Sequence, residues 1–204
     1  TVLGTNLSLI KDIPLPEASY GRLSVHIYNN KEYVYVTGDT TLIRYEHRPG
    51  EDPPLVLDTA WSYKYREVNS RQWKAGGAAI CMGGNAYFTD NAQPGGLGPI
   101  RLHRVNLDNS EDVSAFIPFL GTRNGYHFNK HLIDLEDEII VVSDITNGLV
   151  GGFKYDAGRD RFKNLWVKNY VSGILCSASS SRGQLYLNDF VSGPPYDHDD
   201  IVIL

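Results

Sequence analysis

One short pattern is written four times along the chain, and it limits the folds available more than any other feature. A tight turn is followed by alternating apolar residues, then a small polar residue and an aspartate. Glu32 to Asp39 reads EYVYVTGD, Asn85 to Asp90 reads NAYFTD, Glu138 to Asp144 reads EIIVVSD and Gln184 to Asp189 reads QLYLND. The closing residues, Asp39, Asp90, Asp144 and Asp189, lie 51, 54 and 45 residues apart. That period suits a repeating unit of about four short strands and not a stack of helical pairs.

The rest of the composition agrees. Twenty glycines, ten prolines and thirteen tyrosines, with almost no Ala/Leu/Glu/Lys stretch at helical spacing, read as strands and turns throughout. With 204 residues, 42% of them hydrophobic and 21% charged, the chain is ordinary globular material with enough residues for a sizeable core. Its purely aliphatic runs, such as Ile139 to Val142, are far too short for a membrane span. A net charge of −5 with acids and bases interspersed argues against a nucleic-acid groove, which needs a basic stripe. Asn6-Leu7-Ser8 is a glycosylation sequon that counts only in a secreted protein, and a chain that begins with Thr and has its single Met at Met82 has a processed or cut N-terminus; the compartment stays open, with a secreted or extracytoplasmic one favoured.

The expected fold is all-β, a β-propeller forming one domain over residues 1–204 with four visible blades, at about 20–59, 75–120, 126–170 and 172–204. Cys81 and Cys176 fall in the second and fourth blades, too far apart for a disulfide. Blade four stops after its third strand, and the strand-like piece at 6–13 precedes blade one. Either that piece supplies the missing strand and closes a four-bladed ring, or the chain is the larger part of a six-bladed ring.

In a propeller, the loops leaving each second strand and entering each first strand share one face, around the mouth of the central channel. The repeated aspartates end second strands and so are expected at that face, either as functional groups or as simple acceptors for turn N–H groups. A residue followed by Gly precedes each first strand, at Tyr20-Gly21, Ala75-Gly76, Asn124-Gly125 and Ser172-Gly173, where glycine lets the backbone turn sharply. Tyr20, Asn124 and Ser172 thereby become candidate substrate-binding residues, with Trp73, Lys74 and Tyr126 from the long aromatic connections. Trp61, Tyr63 and Tyr65 belong to the same aromatic stretch. Flat rings with a few hydrogen-bonding groups suit a small organic molecule, although they equally suit packing beneath a loop. His127 is the candidate general acid or base, oriented by Asp144 or Asp90. His26, His131 and Cys176 each stand 13 residues before their aspartate, at equivalent inner-strand positions, and read either as soft metal ligands or as filling of the channel wall.

Several stretches resemble the gluconolactonase and regucalcin family of six-bladed propellers, which shares its architecture with strictosidine synthase. They are Gly84 to Asp90, Leu102 to Asp108, Arg123-Asn124-Gly125 and Gly151 to Asp156, and the similarity spans most of residues 20 to 204. The resemblance implies an enzyme with its site at the channel mouth, where lactone-hydrolysing members hold a divalent cation with a Glu, two Asn and an Asp. Only Asn124 matches that set, with Tyr20, Ala75 and Ser172 at the other positions, and one amide cannot hold a cation that wants six or more oxygens. The reading is therefore an enzyme with no predicted cofactor, working as a hydrolase or cyclase on a small organic substrate. A calcium-type lactonase and a non-catalytic propeller that binds a carbohydrate, small ligand or protein stand as alternatives.

Overall fold

The computed structural model describes residues 2–3, 9–65, 78–91, 100–120, 133–135, 138–144, 147–169, 174–181, 184–190 and 199–203, and every regular element among them is a strand. β1 (Val2–Leu3) and β2 (Leu9–Lys11) pair with each other. Sheet one is β3 (Ser19–Tyr28), β4 (Lys31–Gly38), β5 (Thr41–His47) and β6 (Leu55–Lys64). Sheet two is β7 (Ile80–Met82), β8 (Asn85–Asn91), β9 (Ile100–Asn106) and β10 (Val113–Phe116). Sheet three is β11 (Ile133–Leu135), β12 (Ile139–Asp144), β13 (Leu149–Asp156) and β14 (Arg161–Asn169). Sheet four is β15 (Ile174–Ser181), β16 (Gln184–Phe190) and β17 (Asp199–Ile203). In every sheet the strands lie side by side in chain order, all antiparallel. Among the described residues the partner of β2 is β1, and β17 is paired with β16.

Local sequence explains the hairpins. Asn29-Asn30 and Gly83-Gly84 are two-residue connections with positive φ at both positions, 49° and 60° in the first and 55° and 73° in the second. That is the turn whose twist matches the strands it joins, and Asn and Gly are the residues that tolerate it.

Sheets one, two and three pack face to face in succession, with core between them. Tyr33, Tyr35, Leu42 and Trp61 of sheet one meet Ala86, Phe88, Val105 and Leu107 of sheet two. On the other face of sheet two, Tyr87, Leu102 and Phe119 meet Ile140, Val142, Phe153 and Phe162 around sheet three. Residues Asn85 to Asp90 are consequently buried without a break, because both faces of β8 are covered. The first strands β11 and β15 of sheets three and four touch, as do the outer strands β10 and β14 of sheets two and three. Inner edges thus meet inner edges and outer meet outer, as blades do around an axis.

Two arginines tie the sheets together from equivalent third-strand positions, opposite Tyr35 and Tyr87. Arg44 pairs with Asp58, donates to the Leu107 carbonyl at 2.8 Å, and lies over the rings of Tyr33 and Trp61. Arg104 binds Asn85, Ser114 and Asp112 and lies over Tyr155. In sheet three the equivalent residue, opposite Val141, is Gly152, and the space is filled by the Trp166 ring. The face of sheet one turned away from sheet two carries Val36, Ile43 and Tyr45, with Ile13 of the N-terminal segment packed on it.

Candidate active site

The ends of β4, β8 and β12 and the starts of β5, β9 and β13 lie together in their sheets, which is the mouth end. Pairing in the hairpins places Phe88 opposite His103 and Asp90 opposite Arg101, all on the face turned to sheet one. The outer strand β6 ends there too, and brings Tyr63 and Tyr65 onto the same patch.

Asp90 and His103 are both fully buried. Arg101 grips Asp90 with two bonds, Nε to Oδ1 at 3.0 Å and Nη2 to Oδ2 at 2.6 Å. His103 Nε2 also meets Asp90 Oδ1, at 3.0 Å, and its Nδ1 meets the Tyr63 hydroxyl at 3.2 Å. The imidazole is stacked on Phe88, with 4.6 Å between centroids and 10° between planes. Tyr65 packs edge-on against Phe88, donates its hydroxyl to the Gly38 carbonyl, and accepts from Arg101 through its own carbonyl. The result is a chain of three groups, Asp90, His103 and Tyr63, braced by Arg101 and walled by aromatic rings.

The electrostatics follow from this packing. Burial alone pushes the Asp90 carboxyl up, but hydrogen bonds and charge from His103 and Arg101 outweigh it and hold the group below its ordinary value. The bond to Asp90 holds the Arg101 guanidinium above its usual range. Burial raises the Tyr63 phenol; the Arg101 charge opposes this and the Asp90 charge adds to it. With Nε2–H donating to Asp90, Nδ1 is free to accept the Tyr63 proton, an arrangement in which a carboxylate orients an imidazole for proton transfer.

The sequence-based candidates fare differently. Asp90 is in this cluster. Asp144 is in the next sheet, where its carboxylate accepts the Asn147 N–H at 3.1 Å and the Asn147 side-chain amide at 2.8 Å. Asp144 therefore anchors its turn, as the simpler of its two readings has it. Tyr20 lies in β3, but its side chain is outside the described residues. His127, Trp73, Lys74, Asn124, Tyr126 and Ser172 fall outside them as well, as do the side chains of His131 and Cys176. His26 is half-buried on β3, which lowers its imidazole pKa. Cys81 is a free thiol whose pKa burial pushes up to about 12, so it is inert. Among the described residues, no three His, Cys, Asp or Glu side chains come together in a form that could hold a metal ion. His103 and Arg101 were missed. Their signal was available: charged residues alternate with apolar ones in IRLHRVN, a strand between two covered faces, so each needs a buried partner.

No protein-family model matches the chain, and no curated protein matches it in sequence. Its similarity is structural. Virginiamycin B lyase from Staphylococcus aureus superposes with a TM-score of 0.58 at 12% identity, covering 99% of this chain and 61% of the lyase. A catalytically inactive histidine-to-alanine variant of the lyase, solved with quinupristin, gives a TM-score of 0.54 at 13% identity, covering 93% of this chain and 57% of that one. The fold is of the β-propeller type. This chain spans about three fifths of the lyase's length. The expected all-β, propeller-type fold holds, while the resemblance to the gluconolactonase and regucalcin family broadens to propellers in general. Short turn-and-strand motifs belong to many propellers and do not separate one family from another.

Proposed function

We propose that this propeller is an enzyme that moves a proton on a small organic substrate held at the mouth end, in a reaction of lyase, hydrolase or cyclase type. The observation that carries the reading is the Asp90–His103–Tyr63 chain at the mouth end of sheets one and two. Tyr63, half-buried at the end of β6, is its outward member. It accepts a substrate proton on its hydroxyl oxygen as it passes its own to His103 Nδ1, and Asp90 holds the imidazolium that forms. Connections 66–77, 121–132 and 170–173 carry Trp73, Lys74, Asn124, Tyr126, His127 and Ser172, the groups proposed to hold the substrate, with His127 as a second acid or base. Support also comes from the similar fold of virginiamycin B lyase, whose histidine variant is catalytically inactive.

The test is to incubate the protein with a panel of lactones, esters and cyclic depsipeptides and to follow product by mass spectrometry. Turnover is expected to fall about 10²–10⁴-fold in Tyr63→Phe, the range of a lost acid–base group, with the fold retained. Saturable binding without product overturns the reading in favour of a binding module, and unchanged turnover in Tyr63→Phe overturns the proton relay through Tyr63.

A further inference from the structure

The register shows that blade one lacks a side chain the next two sheets possess. Two residues beyond Phe88 comes Asp90, and two beyond Val142 comes Asp144, each on the face turned to the preceding sheet. Two beyond Val36 on the same face of sheet one comes Gly38, because one extra residue carries Asp39 past the end of the strand. A carboxylate is nevertheless there. Glu17, from the segment that crosses the outer face of sheet one, fills the space that a Gly38 side chain would occupy. Its Oε2 accepts the Thr40 N–H at 3.1 Å and the Thr40 hydroxyl at 2.7 Å, and its Oε1 accepts the Thr41 N–H at 2.8 Å. Two backbone N–H groups and a hydroxyl converging on one point form an anion-binding cup.

Beside the cup is a cavity of about 400 Å³ between Pro16, Thr41, Ile43, Leu57 and Ser62, open to solvent and more apolar than polar. The segment that delivers Glu17 runs over the surface of sheet one. Leu15 is 41% exposed, Lys11 makes an exposed pair with Asp52, and Ile13 packs on the sheet. From these observations we infer that the Thr40–Thr41 turn is a carboxylate-binding site, with Glu17 as its built-in occupant. A small aliphatic carboxylate takes the same place when Glu17 is withdrawn, its head on the turn and its chain in the cavity. The cup shares no carboxylate with the Asp90 cluster, although Tyr65 links the two by donating its hydroxyl to the Gly38 carbonyl and its N–H to the Thr40 carbonyl.

Chemical rescue tests it. Glu17→Ala is expected to lower Tm, and acetate or propionate at neutral pH is expected to restore it saturably, beyond what sodium chloride does at equal ionic strength. The wild type is expected to show no such difference between salts. Glu17→Ala combined with Gly38→Asp supplies the carboxylate from the strand, and is expected to recover Tm and lose the response to acetate. An equal response to acetate and chloride, or an acetate response of the same size in the wild type, overturns the inference. Should Glu17→Ala not fold, Gly38→Asp alone forces two carboxylates to compete for one cup. Faster proteolysis within residues 11–18 is then expected, and cleavage at the wild-type rate overturns the inference.

Discussion

The two interfaces that flank sheet two are built on the same register yet hold different chemistry at the mouth end. Between sheets one and two the mouth end is polar, with Asp90, Arg101, His103 and Tyr63 linked in one network. Between sheets two and three, among the described residues, Leu102, Phe119, Val142 and Phe153 fill the space, and the buried carboxylate of Asp144 accepts from Asn147 in the adjoining turn. Deeper in, the two converge again, each with an arginine over an aromatic ring. A buried ion pair is weak evidence for stability, since well-packed apolar residues serve as well. The polar interface is the one that needs a reason beyond folding, and this is why the function is assigned there.

The largest expected effect sets the interfaces side by side. Asp90→Ala leaves His103 and Arg101 without their shared anion and is expected to cost about 3–5 kcal/mol. Phe153→Ala in the apolar interface is expected to cost a similar ~3–5 kcal/mol through the cavity it opens. Urea unfolding measures both, and a loss below ~1 kcal/mol for Asp90→Ala would mean that its network is not buried as described.

A medium effect separates the interfaces by pH. The folded Asp90 pKa lies below its unfolded value, so its contribution is fully present above the unfolded pKa of about 4 and is lost as pH falls through the folded one. Acid unfolding of Asp90→Asn is expected to show a shallower loss of stability below about pH 4 than wild type. Phe153→Leu should keep the wild-type slope while starting from a lower stability. Parallel acid limbs in wild type and Asp90→Asn would break the comparison.

The smallest effect concerns the arginine shared by the second interface. Asp112 is half-exposed, and Asn85 and Ser114 also hold Arg104. Asp112→Asn is expected to cost about 1 kcal/mol or less, measured by thermal unfolding. A larger loss would make the Arg104 clamp as demanding as the Asp90 network and erase the contrast.

Much of the architecture was legible in the chain by itself. The repeated alternation ending in Asp, with Asn29-Asn30 and Gly83-Gly84 as turn residues, determined which segments are strands and that they join as hairpins, because these are local preferences of backbone and side chain. What only the tertiary structure decided is which of the repeated residues correspond. A single extra residue before Asp39 flips the face, so the repeat that looks most complete in sequence is the one whose carboxylate comes from Glu17, 21 positions before Gly38 in the chain. Likewise Asp90 and Asp144 end the same sentence in sequence, but one meets His103 across a hairpin and the other meets Asn147 in its own turn. Partners of that kind are set by what the facing sheet places within three ångströms or so of a carboxylate, and periodicity along a chain carries no record of it.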